Sequence, residues 1–159
     1  MKSPLSFLFA LAAFSTAGVH GSVFEMRRVE ARGTPQATAF KLDRAGRTDT
    51  VFLSNEVLLD RSGLAGARVV QERVNVTSGR NPEQKTVPAI QLSFTGKGQK
   101  QFAALTKSML GKQVGIVIDG RLIAAPVLRE GIAGGSVTLS GIFTKEDAAA
   151  LVAKVKSGK

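Results

Sequence analysis

The chain contains no cysteine, no tryptophan, no tyrosine and a single histidine in 159 residues. Without cysteine there is no disulfide, so the fold must be held by its core alone. The histidine is His20, which falls at the end of the N-terminal segment described below. These absences together remove Ser–His–Asp and Cys–His catalysis, His/Cys zinc sites and haem ligation. Acidic residues are also scarce, 12 against 22 Lys and Arg, for a formal net charge of +10. That balance favours polyanions, anionic membrane surfaces or acidic partners without specifying one. Only Phe24 and Phe40 accompany the basic cluster of Arg27, Arg28, Arg32, Lys41, Arg44 and Arg47, and neither alternates with the charges. Interleaved aromatics for base stacking are therefore missing, and no nucleic-acid partner is expected.

What is present begins with an export signal. Lys2 supplies a positive start, Leu5 to Ala13 is almost wholly apolar, and small residues follow at Ser15, Ala17 and Gly18. This is the pattern of a secretory signal peptide over residues 1–21, with cleavage after Ala17 or after Gly21. The apolar run from Leu5 to Val19 is short for a membrane span, so a retained anchor is the weaker reading. The expected location is periplasmic or secreted, with no membrane-spanning segment after cleavage. Loss of Lys2 leaves a net charge of about +9.

The stretch that organises the rest is Val114 to Leu128. Two apolar runs flank Asp119-Gly120, a strong signal for a two-residue hairpin whose turn positions both need positive φ. Such a turn pairs Ile118 with Arg121, Val117 with Leu122 and Ile116 with Ile123. Ile116 and Ile123 then share one face, and Val117 and Leu122 the other. Pro126 lacks an N–H and belongs at a strand end or on an edge.

Around this hairpin the pattern is regular. Val23 to Val29 reads as a strand, and residues 37–42 and 48–53 as a hairpin turning near Gly46. Asn55 to Gly66 reads as a loop with one helical turn from Asp60 or Ser62, and Ser78 to Thr86 as a polar loop. Ala67 to Val76 and Ala89 to Phe94 read as strands, the second with Ile90, Leu92 and Phe94 on one face. Thr95 is a helix N-cap, followed by Phe102, Leu105, Thr106 and Met109 at helical spacing and by Gly111 as a stop. Gly96-Lys97-Gly98 lacks the spacing of a phosphate loop. Val137 to Ile142 is a strand, and Thr144 caps a last helix with Ala148, Leu151, Val152 and Val155 on its buried stripe. From Ala67 the order is strand, strand, helix, strand, strand, strand, helix. The expected class is α+β, a mainly antiparallel sheet with two helices packed on one face, related to ferredoxin-like folds. The N-terminal strands and hairpin, 22–53, precede this domain, 54–159, and the sheet's opposite face is left wet or open to a partner.

These features, in this order, resemble the head of the first periplasmic domain of SecD, a subunit of the SecDF protein-export machinery. The matching residues are Gly63-Leu64-Ala65-Gly66-Ala67-Arg68-Val69, Ile90 to Thr95 with Gly98, and Phe102 to Thr106. They continue with Ile116 to Arg121, Ala124-Ala125-Pro126-Val127, Ile132-Ala133-Gly134-Gly135 and Ser140-Gly141-Ile142-Phe143-Thr144. Asp119, Gly120, Ala125, Pro126, Gly134, Gly135, Gly141 and Phe143 carry the motif, and Ala124 departs from it where the family usually has Ser. The resemblance implies the SecDF head-type fold and polypeptide handling, with exported polypeptides or the Sec translocon as partners. It does not carry over proton-driven export.

No acid–base or nucleophile constellation is recognisable, so no enzyme, no cofactor and no metal site are expected. Two classes of binding module remain. One engages polypeptide through Val117 and Leu122, with Arg121 beside them, and through an open sheet edge. The other docks on an anionic envelope polymer or surface through Arg27, Arg28, Arg44, Arg47, Lys97, Lys100 and Lys107, and weakens steeply with salt. A partner or inhibitor of another envelope protein is a third, unranked possibility.

Overall fold

The computed structural model describes residues 23–44, 46–78, 81–140 and 143–158. The expected signal peptide, 1–21, with His20, and the motif residue Gly141 lie outside the described residues. The strands are β1 (Phe24–Glu30), β2 (Ala37–Arg44), β3 (Arg47–Asp60), β4 (Leu64–Ser78), β5 (Asn81–Phe94), β6 (Val114–Ile118), β7 (Arg121–Ala124) and β8 (Ser136–Ser140). The helices are α1 (Gly96–Ser108) and α2 (Lys145–Ser157), and a single 3-10 turn spans Arg61–Gly63. All described strand pairs are antiparallel. The order expected from Ala67 onward is the order found.

The strands divide into two sheets, β2-β3-β1-β6-β7 and β4-β5-β8. The division follows from β3, which is longer than its sequence suggested. Asn55 to Asp60, expected as a loop, continues the strand and buries Leu59. Irregularities in the β1–β3 ladder between Met26 and Val29 let this 14-residue strand follow the 7-residue β1. They also disturb the alternation by which a strand is recognised. The boundary expected between residues 53 and 54 consequently falls inside β3, and β1 lies between β3 and β6. The loop expected over Ser78 to Thr86 is likewise mostly strand, because β4 and β5 pair out to Ser78 and Asn81. Their outer part extends past β8, which pairs only with Ala89–Ser93. Residues 81–86, Asn-Pro-Glu-Gln-Lys-Thr, include no large apolar side chain, so this part of β5 carries no hydrophobic alternation.

The helices were legible because their signals are local. The Thr95 hydroxyl accepts the Gly98 N–H at 3.0 Å, and the Thr144 hydroxyl accepts the Asp147 N–H at 3.1 Å. Gly158 (φ 65°) is the left-handed C-cap of α2, whereas α1 is capped by Met109 (φ −105°) and Gly111 (φ 76°) turns the chain two residues later. Phe102 and Leu105 from α1, Met109 at its C-terminal cap, and Ala148, Leu151, Val152 and Val155 from α2 share one core. The two sheets contribute Phe24, Met26, Ile116, Ile118, Ile90 and Leu92 to it. Phe94 stacks on Phe102 with ring centroids 4.5 Å apart. Gly98 has a packing role: a Cβ there would lie 1.9 Å from the Gly63 carbonyl oxygen.

The other face of the larger sheet is not wet. Leu42, Leu53, Val117, Leu122 and Ala125 form a second core, flanked by Val29, Phe40 and Val51. Leu42 lies on β2 and Leu122 on β7, the two margins of the sheet, so the sheet curls to bring them together. The central hairpin turns through Asp119 (φ 52°) and Gly120 (φ 72°), and Ile118 and Val117 pair with Arg121 and Leu122 as expected. The third expected pair is displaced: a bulge sets Ile116 opposite Ala124 rather than Ile123. The faces are nonetheless as expected, Ile116 and Ile123 in the first core and Val117 and Leu122 in the second.

Candidate functional site

After β7 the chain leaves the sheet. Pro126 cannot donate to a ladder, although its carbonyl still accepts the Val114 N–H at 3.1 Å. The next residues are held by Gly111 N–H to the Leu128 carbonyl (2.8 Å) and Leu128 N–H to the Lys112 carbonyl (2.9 Å). This segment, Pro126 to Glu130, forms one wall of a groove of about 450 Å³. The opposite wall is β8, from Val137 to Ser140, and Met26, Phe102 and Ile116 form the floor. Ile132 is tied to α1 by its N–H, which the buried Thr106 hydroxyl accepts at 3.0 Å. The same hydroxyl donates to the Ala103 carbonyl at 3.1 Å. Thr106 therefore sits on an apolar helix face because it fastens the segment leading to β8. Gln99 Nε2 adds a bond to the Ala133 carbonyl at 2.9 Å.

The chemistry of the groove is that of a binding surface. Its lining is mainly apolar, with Arg129 and Glu130 beside Leu128 on one wall and the Thr138 and Ser140 hydroxyls on the other. Among the described residues β8 is an outer strand of its sheet, so the groove runs beside a strand with one side unpaired by any of them. Among the described residues, no group of three or more His, Cys, Asp or Glu side chains could hold a metal ion.

The residues expected to meet a partner are distributed differently. Val117 and Leu122 are only 2% and 5% exposed, packed in the second core, and offer no surface to a partner. Alternation places them on the face away from the helices, and the curl of the sheet covers that face. Arg27 is also buried. Its guanidinium lies 2.7 Å from Glu25 Oε2 and reaches the carbonyls of Ser54 and Asn55 at 3.3 and 3.5 Å, across the irregular part of the β1–β3 ladder. The signal for this was Glu25-x-Arg27, two opposite charges on one strand face. Arg28 is partly exposed and bonds Glu30 at 2.6 Å, and this hydrogen bond and charge raise its pKa. Arg121 is exposed on β7. Lys97, Lys100 and Lys107 are exposed on α1, and Arg47 bonds Asp49 at 3.0 Å.

Of the motif residues, Asp119 and Gly120 form the turn, and Asp119 also accepts a hydrogen bond from Lys154 of α2. Ala125 is in the second core, Pro126 lines the groove, and Phe143 packs against the first core. Gly134 and Gly135 are exposed before β8, and the Gly135 carbonyl accepts the Phe94 N–H at 2.9 Å. The groove itself was not readable in the sequence, because its walls come from segments that only the tertiary fold sets side by side.

Comparison with known proteins places this geometry in a lineage. Residues 36–159 match the model of the SecDF P1 head subdomain, so the match begins upstream of Ser54 and takes in β2 and β3. The protein translocase subunit SecDF of Thermus thermophilus is 36% identical over 101 residues, 64% of this chain and 12% of that protein. The protein translocase subunit SecD of Syntrophobacter fumaroxidans is 33% identical over 116 residues, 73% of this chain and 20% of that protein. The chain thus spans a fifth or less of the length of these relatives. A solved structure of SecDF, described as a membrane component that enhances protein export, superposes with a TM-score of 0.58 at 25% identity, covering 87% of this chain and 64% of that one. SecDF in a super-membrane-facing form gives a TM-score of 0.58 at 26% identity, covering 87% and 19%. No helix among the described residues is long and apolar enough to cross a membrane.

Proposed function

Because the chain belongs to the SecDF P1 head subdomain family, we propose that it is a non-enzymatic accessory to protein export that binds extended polypeptide in the groove beside β8. In this reading it works in the periplasm after its leader is removed. The observation that carries the proposal is the pairing of an apolar floor with the open side of β8. An added strand gains main-chain hydrogen bonds along an edge and sends alternate side chains into apolar pockets. The five residues of β8 offer about 17 Å of edge. Main-chain recognition is indifferent to sequence, which suits a module that must accept many exported chains. Leu128 on the facing wall supplies further apolar contact.

The test is site-specific photo-crosslinking in intact cells, with the probe at Thr138 on β8 and, as a buried control, at Leu122. Crosslinks from Thr138 to several exported polypeptides in transit are expected, with none from Leu122. A single recurrent envelope partner at Thr138 would overturn the export reading. In vitro, Val137→Lys puts a charge on the half-buried wall of the groove. It is expected to weaken binding of a labelled unfolded polypeptide about tenfold, read by anisotropy.

A further inference from the structure

We propose that the turn after α1, together with the segment that leaves β7, is a docking patch for an anionic phospholipid surface. Leu110 and Val127 are 48% and 46% exposed, the two most exposed large hydrophobic residues among the described ones. They lie 17 positions apart in sequence on strands of chain held together by main-chain bonds. Gly111 N–H donates to the Leu128 carbonyl, Leu128 N–H donates to the Lys112 carbonyl, and Gln113 bridges to Val127. The result is one exposed strip rather than two scattered side chains.

The strip is flanked by cations. Lys107, Lys112 and Arg129 are all exposed, and among the described residues none of them has a carboxylate within ion-pair distance. Lys107 reaches across to the second segment, since a Cβ on Gly131 would lie 3.7 Å from Lys107 Cγ. Glu130 is the one acid in these two stretches. Protruding aliphatics ringed by long-stemmed cations match the interfacial layer of a bilayer. The aliphatics enter the acyl boundary, while the cations lay their stems along it and hold their charges at the phosphates. The +10 charge of the chain adds attraction toward an extended anionic surface. The patch is a turn that projects its side chains, whereas the groove receives them, so the two features call for different occupants. Val127 and Arg129 also border the groove, so docking would set its mouth at the membrane surface.

The absence of cysteine makes the test clean, because one introduced cysteine takes one label. An environment-sensitive fluorophore is placed in the full chain at Leu110→Cys, Val127→Cys or Ala153→Cys. Ala153 is exposed on α2 next to Lys154, whose partner Asp119 lies at the opposite end of β6 from Val114. Val23, where the leader joins, is at that same far end, its carbonyl accepting the Asp119 N–H. Binding through the leader alone would therefore move the Ala153 probe first.

With vesicles rich in phosphatidylglycerol, a blue shift is expected at Leu110 and Val127 and a smaller one at Ala153. Zwitterionic phosphatidylcholine vesicles should give little. Loss of two surface cations alone raises the lipid concentration needed by about thirtyfold, and combining Lys107→Glu with Lys112→Glu should raise it further. A shift at Ala153 with silence at Leu110 and Val127 would overturn the proposal in favour of the leader. Equal shifts on both lipids, or no loss on charge reversal, would overturn recognition of the anionic surface. A shift produced by polyglutamate but not by vesicles would assign the patch to an acidic polypeptide and also overturn it.

Discussion

The five-stranded sheet carries an apolar layer on each side, and the two layers are built differently. On one side two amphipathic helices, the smaller sheet and the larger sheet all meet, and the buried side chains form one large cluster. On the other side none of the described helices takes part: five residues from β2, β3, β6, β7 and the turn beyond β7 are covered by the curl of their own sheet. The helix-covered layer depends on periodicity within each element. The curled layer depends on a global property, the approach of β2 to β7. A sheet face that looks free when strands are counted one by one can thus be closed by the twist that strands acquire together.

The contrast can be broken from either side. Phe102 is almost fully buried beneath α1 and stacks on Phe94. Phe102→Ala should lower stability by about 4 kcal/mol in denaturant titration. It should also raise amide exchange in α1 and in the segment from Ile132 to β8. Leu53 has no exposure and lies at the centre of the second layer. Leu53→Ala should cost about 3 kcal/mol, with exchange rising first in β2 and β3 while α1 stays protected. If both variants open the same amides, the two layers are one cooperative unit and the distinction between them fails.

A smaller effect sharpens the boundary between the sheets. Asp60 caps the 3-10 turn, accepting the Ser62 N–H at 2.9 Å and the Ser62 hydroxyl at 2.6 Å. The hydroxyl bond first, then the N–H bond, lowers its pKa below the ordinary carboxylate value. The folded carboxyl thus holds its proton less tightly than the unfolded one. Its contribution is complete above an unfolded pKa of about 4 and is lost as pH falls through the lower folded value. Asp60→Ala should cost about 1 kcal/mol at neutral pH and almost nothing at the acid end. The check is a pair of urea titrations, one on each side of that range; equal losses at both would show that the cap is not the cause.

How much could be read in advance follows the same division. Thr95, Gly111, Thr144 and Gly158 mark helix ends by chemistry acting within a few residues, and the Asp119-Gly120 turn works in the same way. Asn55 to Asp60 hid as a loop because the irregular ladder beside Arg27 shifts which residues face inward. Arg27 itself passed for a surface charge, since its burial depends on Glu25 and on two carbonyls from a distant strand. The open strand edge was foreseeable from the fold class. That β8 would face the Pro126–Glu130 segment was not, because no local pattern records which segments the fold sets opposite each other.

The contact between Gly63 and Gly98 has a consequence for how this chain can change. A Cβ on Gly98 meets the Gly63 backbone at 1.9 Å, and a Cβ on Gly63 meets Leu59 Cδ1 at 2.7 Å and Gly98 Cα at 3.4 Å. An oversized side chain in a core is commonly rescued by shrinking its neighbour. At position 98 the neighbour is already the smallest residue and what it presents is main chain, so position 63 has nothing left to give, whereas position 63 itself is crowded first by the flexible Leu59 side chain. Enlargement at position 98 can be relieved only by lifting the start of α1 away from the turn that joins β3 to β4. A search for suppressors of such a variant should return changes that loosen the seat of α1 and none at position 63.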